Sequence, residues 1–260
     1  MRRLSNDEIQ HYQEQGFVVL PRLLEEPLLS LLLDECMSAW HQEKAAFDKE
    51  ATWLQNALLP NIHHRSELVR KYYFTGPLVD VAEALIGPNI KGATSQLTFK
   101  MRGNTQAFGW HQDNGYGQLD PANAISALTA LDDTDERNGC LWIIPGSHQQ
   151  GQIDVTDHFS AASKTAGAEL NLDIPDADQA IPVPLQAGDA AIFHGHLLHR
   201  SEGNRSATRN RRILFLRYAD ADAVEIYNGG SPRLGPLLRG VTRFPEVASF
   251  EKELADACSR

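Results

Sequence analysis

The sequence Gly109-Trp110-His111-Gln112-Asp113-Asn114-Gly115 decides the predicted fold. It predicts the end of an extended strand, in which residues two apart lie on the same face, so His111 and Asp113 can bind one metal ion. A second His-x-acid pair, His41-x-Glu43, lies in a predicted helix, where residues two apart point about 200° away from each other. Two such pairs are close to what chance gives in this composition. The prediction therefore depends on where each pair lies.

The segments around this stretch change from helical to β-type patterns after Gly92. The front part has a capping box at Ser5 to Glu8 and predicts the following elements: a helix to about Gly16, a strand at Phe17–Leu20, a helix from Pro27 through Trp40, irregular helical structure over 41–70, and a helix at Pro77–Ile86. Short β-type runs follow at Gln96–Met101, Ile125–Leu131, Leu141–Ile144, Ala190–His194 and Arg212–Tyr218. Their spacing predicts a sandwich or a closed barrel.

Composition excludes several classes of protein. The 260 residues suit one large domain, and the formal net charge of -10 argues against nucleic acid, whose binding depends on Lys and Arg. Three scattered cysteines form neither a disulfide framework nor a zinc motif, so we expect a reducing, cytoplasmic setting. No apolar run is long enough for a membrane span, and we expect no membrane partner. The oligomeric state is not predicted.

A metal held by His111 and Asp113 needs a third ligand from another strand. A set of two histidines and one carboxylate on one octahedral face is typical of non-haem iron(II) oxygenases, which leave the opposite face open. The run after Gly188-Asp189 offers three candidates, His194, His196 and His199. A cosubstrate carboxylate would need a guanidinium anchor, for which Arg209, Arg211 and Arg212 lie just downstream.

Several ordered motifs resemble the phytanoyl-CoA hydroxylase (PhyH) family of iron(II)- and 2-oxoglutarate-dependent dioxygenases. They are Gly16-Phe17-Val18-Val19, Trp110-His111-Gln112-Asp113, Asn138-Gly139-Cys140-Leu141, Pro145-Gly146-Ser147-His148, Gly188-Asp189 and His199-x-Ser201. The resemblance implies a mainly β fold with helices: a double-stranded β-helix, or jelly roll (cupin-like), with N-terminal helices packed outside one sheet. We expect a single domain over 1–260, with helical support at 1–91, the jelly-roll core at 92–220 and a C-terminal extension at 221–260.

The resemblance also implies roles for individual residues. His199 becomes the third metal ligand beside His111 and Asp113, and Arg211 becomes the anchor for 2-oxoglutarate. The interval from His199 to Arg211 is one residue longer than the common family spacing, so Arg209 and Arg212 remain alternatives. Strand alternation favours Arg212, because it shares a face with Tyr218. Ser201 and Gln96 are implied as further cosubstrate contacts, and Leu128 stands where many relatives have an aromatic contact.

The implied reaction uses Fe(II), 2-oxoglutarate and O2 to hydroxylate an unactivated C–H bond of a small molecule, releasing succinate and CO2. Asp113 favours hydroxylation, because halogenating relatives leave the carboxylate position to chloride. The alternatives are a jelly-roll module that binds metal or ligand without turnover, and a cupin-like isomerase that uses zinc or nickel. Both alternatives would have the same metal ligands but would not oxidise a substrate.

Three features concern the substrate. Arginines crowd an 18-residue window after His199 and predict an anionic substrate such as a carboxylate; they are Arg200, Arg205, Arg209, Arg211, Arg212 and Arg217. The polar segment from Gln149 to Ala180 is a candidate lid. His63-His64 is interpreted as a pair of polar residues at the start of a helix; the alternative is that one of them lines the substrate pocket.

Overall fold

The computed structural model describes residues 2–43, 57–116, 118–153, 174 and 176–258. Helix α1 (Asn6–Gln15) begins at the predicted capping box, in which the Ser5 side chain accepts from the Glu8 N–H at 3.2 Å. The Glu8 carboxylate accepts from the Ser5 N–H at 2.7 Å, so both otherwise unpaired N–H groups are satisfied. The helix ends at Gly16, whose φ of 82° favours glycine, and strand β1 (Phe17–Leu20) follows.

Five further α-helices lie within the described residues. They are α2 (Leu28–Glu43), α3 (Glu67–Thr75), α4 (Pro77–Ile86), α5 (Pro245–Ser249) and α6 (Lys252–Cys258). Helix α4 has the predicted bounds, and α2 continues past Trp40 to Glu43. Helix α3 is capped by the Ser66 side chain, which accepts from the Val69 N–H at 3.1 Å. Residues 44–56 of the predicted irregular segment lie outside the described residues.

The strands form three antiparallel sheets. After β1 they are β2 (Leu58–Pro60), β3 (Ile90–Lys100), β4 (Phe108–His111), β5 (Leu119–Asp120), β6 (Ile125–Ala130), β7 (Leu141–Ile143), β8 (Ile181–Val183), β9 (Ala190–His194), β10 (His199–Ser201), β11 (Arg211–Asp220), β12 (Val224–Glu225), β13 (Ser231–Pro232) and β14 (Leu237–Arg239). The large sheet has the order β1-β9-β6-β11-β3-β14, with β2 also paired to β3. A four-stranded sheet has the order β4-β10-β7-β8, and a small one has the order β13-β12-β5.

Alternation along β11 divides its side chains between two hydrophobic clusters. Ile213 and Phe215 pack in one cluster with Leu141 and Ile143 of the four-stranded sheet, and we call this face of the large sheet the inner face. Leu214, Leu216 and Tyr218 pack in the other cluster with residues of the helices, and we call this the helix-side face. Burial of each large apolar side chain contributes about 1.5–3 kcal/mol, so both faces hold the sheet in place.

The pairing register extends the inner face to neighbouring strands. Opposite Arg211, Ile213 and Phe215 on β11 lie Lys100, Thr98 and Gln96 on β3. On the other side of β11, Leu128 and Ser126 of β6 lie opposite Phe215 and Arg217. Polar and charged side chains at both ends of β11 therefore share a face with the apolar centre.

The structure also bears on the predictions about membrane spans, cysteines and the lid segment. No helix within the described ranges is both long and apolar enough to span a bilayer. Cys36 and Cys140 are buried and unpaired, and Cys258 is partly exposed and unpaired. Residues 154–173 and 175 of the predicted lid lie outside the described residues.

Candidate metal and cosubstrate site

The structure brings His111, Asp113 and His199 together. His111 ends β4 and is the pairing partner of His199, which begins β10. Asp113 lies just beyond the strand, at the start of a 3-10 helix (Asp113–Tyr116), so it is the turn after β4 that directs its carboxylate. Asp113 Oδ1 lies 3.8 Å from His111 Nε2 and 3.7 Å from His199 Nε2. One ligand atom from each residue lies within 4.8 Å of the other two.

Hydrogen bonds orient both imidazoles. His111 Nδ1 lies 2.7 Å from the Gly109 carbonyl, and His199 Nδ1 lies 2.9 Å from the Leu197 carbonyl. Because a carbonyl only accepts, each Nδ1 carries the proton and each Nε2 is directed to Asp113 as a potential ligand. Asp113 Oδ2 accepts a short hydrogen bond from Ser126 Oγ, which leaves Oδ1 to face the histidines.

The charges of this cluster suit a divalent metal ion. Burial, with the neighbouring His199, lowers the pKa of His111 to about 4, so its imidazole is neutral near pH 7. Burial alone would raise the pKa of Asp113, but His199 and Arg217 hold it below its ordinary value. Two imidazole nitrogens and one carboxylate are the donor set of facial iron(II) sites, and the residues present fit that ion.

The competing histidines face the other way. His194 is on the helix-side face of β9, where its ring lies 6.4 Å from Tyr12 of α1 and 5.4 Å from His148. His196 lies beside it, and its backbone N–H donates to His194 Nδ1 at 3.0 Å. Burial lowers the pKa of His194 to about 4 and lowers that of His196. Neither lies in the cluster with Asp113 among the described residues.

The three candidate arginines differ in the face that they occupy. Arg211 is 3% exposed on the inner face, where one guanidinium N–H donates to Thr98 Oγ1 at 3.1 Å and its Nε has no partner. Arg212 is on the helix-side face and forms a 2.5 Å ion pair with Asp132. Arg209 pairs with Asp135 at 2.7 Å near the surface. Alternation along β11 does place Arg212 with Tyr218, but the face that they share packs against the helices rather than facing the metal cluster.

Lys100 adds a second buried cation that the sequence analysis did not identify. Its Nζ donates to Ser201 Oγ at 2.7 Å, to the Ser201 carbonyl at 3.0 Å and to the Glu202 carbonyl. Burial, with the nearby charge of Arg211, holds the pKa of Lys100 well below its ordinary value. Burial also lowers the pKa of Arg211 to about 10. Neither cation pairs with a carboxylate in the part of the chain that the structure describes.

The other implied cosubstrate residues line the same surface. Gln96 lies opposite Phe215 on the inner face, and Leu128 flanks Phe215 from β6. Ser201 is buried, two residues beyond His199 on β10. The position of Lys100 inside a predicted apolar strand was the one sequence signal that could have identified it. Thr98 and Ser126 have no such signal, because the pairing register of strands cannot be predicted from one sequence.

A second arginine of the inner face, the partly buried Arg217, lies at the opposite end of β11 from Arg211. Its guanidinium donates to Asn114 Oδ1 at 2.8 Å, its Nε has no partner, and its charge acts on Asp113. The Asn114 side chain packs directly on Gly195, where a Cβ would come within 2.6 Å of Asn114 Oδ1. Glycine at 195 therefore permits the contact that positions Arg217.

Comparison with known proteins identifies the family. The family model described as phytanoyl-CoA dioxygenase (PhyH) matches residues 12–213. The chain belongs to the PhyH family. One relative is phytanoyl-CoA dioxygenase 1 of Oryza sativa subsp. japonica, 29% identical over 202 residues that cover 74% of this chain and 68% of the relative. Another is methylphosphonate hydroxylase of Gimesia maris, 26% identical over 233 residues that cover 86% of this chain and 85% of the relative.

Solved structures give the same fold. The epimerase SnoN in complex with Fe3+, alpha-ketoglutarate and nogalamycin RO superposes with a TM-score of 0.73 at 20% identity, covering 90% of this chain and 98% of that one. With the family membership and the His111, Asp113 and His199 cluster, this PhyH protein is an iron- and 2-oxoglutarate-dependent dioxygenase.

Proposed function

We propose that this PhyH protein hydroxylates a C–H bond of a small anionic molecule, with iron(II) held by His111, Asp113 and His199. The observation that carries the proposal is the position of the metal cluster between two arginines on one face of β11, the buried Arg211 and the partly buried Arg217. Arg211 and Arg217 are six residues apart, which is about 20 Å in a strand. One arginine serves the cosubstrate and the other serves the substrate.

On the cosubstrate side, Arg211 binds the distal carboxylate of 2-oxoglutarate. Its guanidinium is buried, donates to Thr98 and lacks an anionic partner among the described residues. A bound carboxylate would therefore neutralise its buried positive charge. Lys100 Nζ donates to Ser201 Oγ, so the hydroxyl proton of Ser201 points away from Lys100. Ser201 can therefore donate to the oxoacid, and Gln96 supplies a polar side chain on the same face.

On the substrate side, Arg217 binds an anionic group. The other arginines of the crowded window are occupied elsewhere. Arg200 stacks on Trp110 and Trp142 and pairs with Glu202, Arg205 also pairs with Glu202, and Arg209 and Arg212 pair with aspartates. Arg217 alone of these non-cosubstrate arginines has a neutral partner, Asn114, as its described side-chain hydrogen bond. Methylphosphonate, named in one relative, is such an anion.

The protein positions the reactants and excludes water. When bound, iron(II) with 2-oxoglutarate and O2 supplies the oxidation of the C–H bond, and succinate and CO2 leave. Asp113 occupies the carboxylate position, with Ser126 holding its second oxygen, and this favours hydroxylation. Phe215, Leu128 and Ile213 form an apolar wall between the two arginines, which strengthens charge interactions by keeping water away.

The fold that supports this site is proposed to be a double-stranded β-helix in a single domain over 1–260. Its support is the packing of the large sheet and the four-stranded sheet on one shared cluster, and the coverage of most of the chain by one solved structure. The helices are proposed to pack outside the large sheet, supported by the cluster on the helix-side face.

Two measurements test the proposal. The first adds iron(II) and 2-oxoglutarate without oxygen, because a weak visible charge-transfer band develops only if the oxoacid chelates iron; its absence would favour a binding module or an isomerase. The second scores succinate release for small carboxylates and phosphonates against their methyl esters, at low and high salt. We expect the anions to be preferred, less so at high salt. Equal turnover of both forms without salt dependence would remove the anionic substrate.

Arg217→Gln gives the matched test of the anchor. We expect it to raise the KM for the anionic substrate by about 10- to 100-fold, equivalent to about 1.4–2.8 kcal/mol, because Arg217 is partly buried and a fully buried charged pair would lose more. The KM for 2-oxoglutarate should stay within about twofold. Arg209→Gln, which removes a surface arginine of the same window, is the control and should change neither constant.

A further inference from the structure

A second cluster of metal-ligand residues lies away from the iron site, at His63, His64 and Glu251. The two histidines form a 3-10 helix (Ile62–His64) after β2, and Glu251 lies between α5 and α6 in the C-terminal extension. His63 Nε2 lies 3.1 Å from Glu251 Oε2, and His64 Nε2 lies 2.7 Å from Glu251 Oε1. Two histidines adjacent in sequence thus converge on both oxygens of one carboxylate that is 187 residues away.

The cluster has the supporting contacts of a metal site. His63 is buried, and its Nδ1 lies 2.5 Å from Ser95 Oγ on β3, which fixes the ring and directs Nε2 to Glu251. Glu251 has a φ of 49°, a conformation uncommon for a residue with a Cβ, and this turns its side chain toward the histidines. Burial would raise the pKa of Glu251, but the hydrogen bonds from His63 and His64 lower it more, so the carboxylate is charged.

The separations between the histidine nitrogens and the carboxylate oxygens are close to those between ligand atoms in a zinc site. Bonds of about 2.0–2.1 Å in a tetrahedron separate neighbouring ligand atoms by about 3.3 Å. The observed separations of 3.1 and 2.7 Å run to different oxygens of Glu251, so binding one ion requires them to open by about 0.2–0.6 Å and the carboxylate to rotate until one oxygen faces both histidines. All three ligand atoms lie within 4.8 Å of one another.

The cluster also has an open side. His63, His64 and Glu251 line a cavity of about 700 Å3 between β3, the residues after β12 and the turn before α6. The His64 side chain is 43% exposed, so an ion can reach it. None of the described lining residues belongs to the cluster of His111, Asp113 and His199.

We propose that His63, His64 and Glu251 bind a divalent transition-metal ion, preferentially Zn2+, with a fourth position open to this cavity. Three protein ligands and one open position are typical of zinc sites that bind a further small ligand. The ion would also link the C-terminal extension to β2 and β3, because Glu251 comes from one and the histidines from the other. The competing interpretation is a metal-free clasp, in which both imidazoles donate hydrogen bonds to the carboxylate.

Zinc binding to the full chain separates the two interpretations. Zn2+ is titrated against a chromophoric chelator into the metal-free wild type and into His111→Ala/His199→Ala, which lacks the iron ligands. We expect two equivalents in the wild type and one in the double variant. Adding Glu251→Gln to the double variant should remove the remaining equivalent. Adding Glu253→Gln, which removes an acid of α6 outside the cluster, should leave it.

Two further readouts guard against loss of the fold. The thermal midpoint of the double variant should rise with Zn2+, and that rise should disappear with Glu251→Gln. If Glu251→Gln does not fold, His64→Gln replaces it, because this exposed change keeps the bond between His63 and Glu251; it should weaken zinc binding at least tenfold. A double variant that binds no zinc, or keeps its zinc after loss of Glu251 or His64, would overturn the proposal in favour of the clasp.

Discussion

Lys100 on β3 and Arg211 on β11 are direct cross-strand partners, and both side chains are at most 3% exposed. Neighbouring like charges in a buried position are costly, because neither cation is screened by water. Each has only neutral hydrogen-bond partners among the described residues, namely Thr98 for Arg211 and Ser201 with the Glu202 carbonyl for Lys100. A dicarboxylate cosubstrate supplies the missing negative charge.

Replacing Lys100 should therefore weaken cosubstrate binding. We expect Lys100→Met to raise the KM for 2-oxoglutarate about tenfold, equivalent to about 1.4 kcal/mol, because one positive charge and the orientation of Ser201 are lost. The matched control is Lys91→Met, since Lys91 is an equally buried lysine at the other end of β3 that donates to the Ala221 and Ala223 carbonyls. An unchanged KM in Lys100→Met, with a lowered unfolding midpoint, would show a purely structural lysine.

Arg211 should matter more for the cosubstrate than Arg212. Arg211→Gln is expected to raise the Kd of 2-oxoglutarate steeply, because loss of a bidentate charged pair in a buried site costs about 2–5 kcal/mol. Arg212→Gln should lower stability through loss of its pair with Asp132 but leave the Kd nearly unchanged. Anaerobic titration with 2-oxoglutarate measures both constants. A collapse of affinity in Arg212→Gln alone would contradict the assignment of the inner face.

The metal cluster gives the third prediction. His111→Ala, Asp113→Ala and His199→Ala should each abolish succinate release coupled to substrate, because three ligands are needed to hold the ion. The control is His196→Ala, whose side chain lies outside the cluster. Iron content and circular dichroism distinguish loss of the metal from loss of the fold. Normal iron occupancy in His199→Ala, together with its loss in His196→Ala, would reverse the ligand assignment.

Lys91 gives a pH dependence of stability. Burial lowers the pKa of Lys91 to about 8, below its unfolded value of about 10.5. Between these two values the unfolded chain binds more protons than the folded chain, so this residue makes the free energy of unfolding rise from pH 8 to pH 10.5. Below pH 8 both states are protonated and the contribution is constant. Urea denaturation across this range should show a steeper rise in the wild type than in Lys91→Met; parallel curves would contradict it.

Local sequence patterns predicted several elements correctly. The capping box at Ser5 and Glu8 and the bounds Pro77–Ile86 both depend on contacts within a few residues, and both are confirmed. The strand predictions Phe17–Leu20 and Ala190–His194 are also confirmed, but β3 begins at Ile90 rather than Gln96, because Lys91 and Gly92 interrupt the apolar pattern. Sheet pairing and hydrogen bonds to Ala221 and Ala223 stabilise those residues in the strand, and these partners are distant in sequence.

Neighbouring residues alone were enough to predict the PhyH family, the change from helices to short strands, and the residue types of an iron site, because ordered motifs and alternating patterns are local features of a sequence. The tertiary structure was needed to show which side of β11 faces His111, Asp113 and His199. Alternation says that Arg211 and Arg212 point to opposite faces, but the packing of helices on one face and of a second sheet on the other decides which is which. The contacts of Lys100 with Ser201 and of His63 with Glu251 likewise join residues 101 and 188 positions apart. No local pattern encodes such contacts, because they arise only when distant strands and turns pack together.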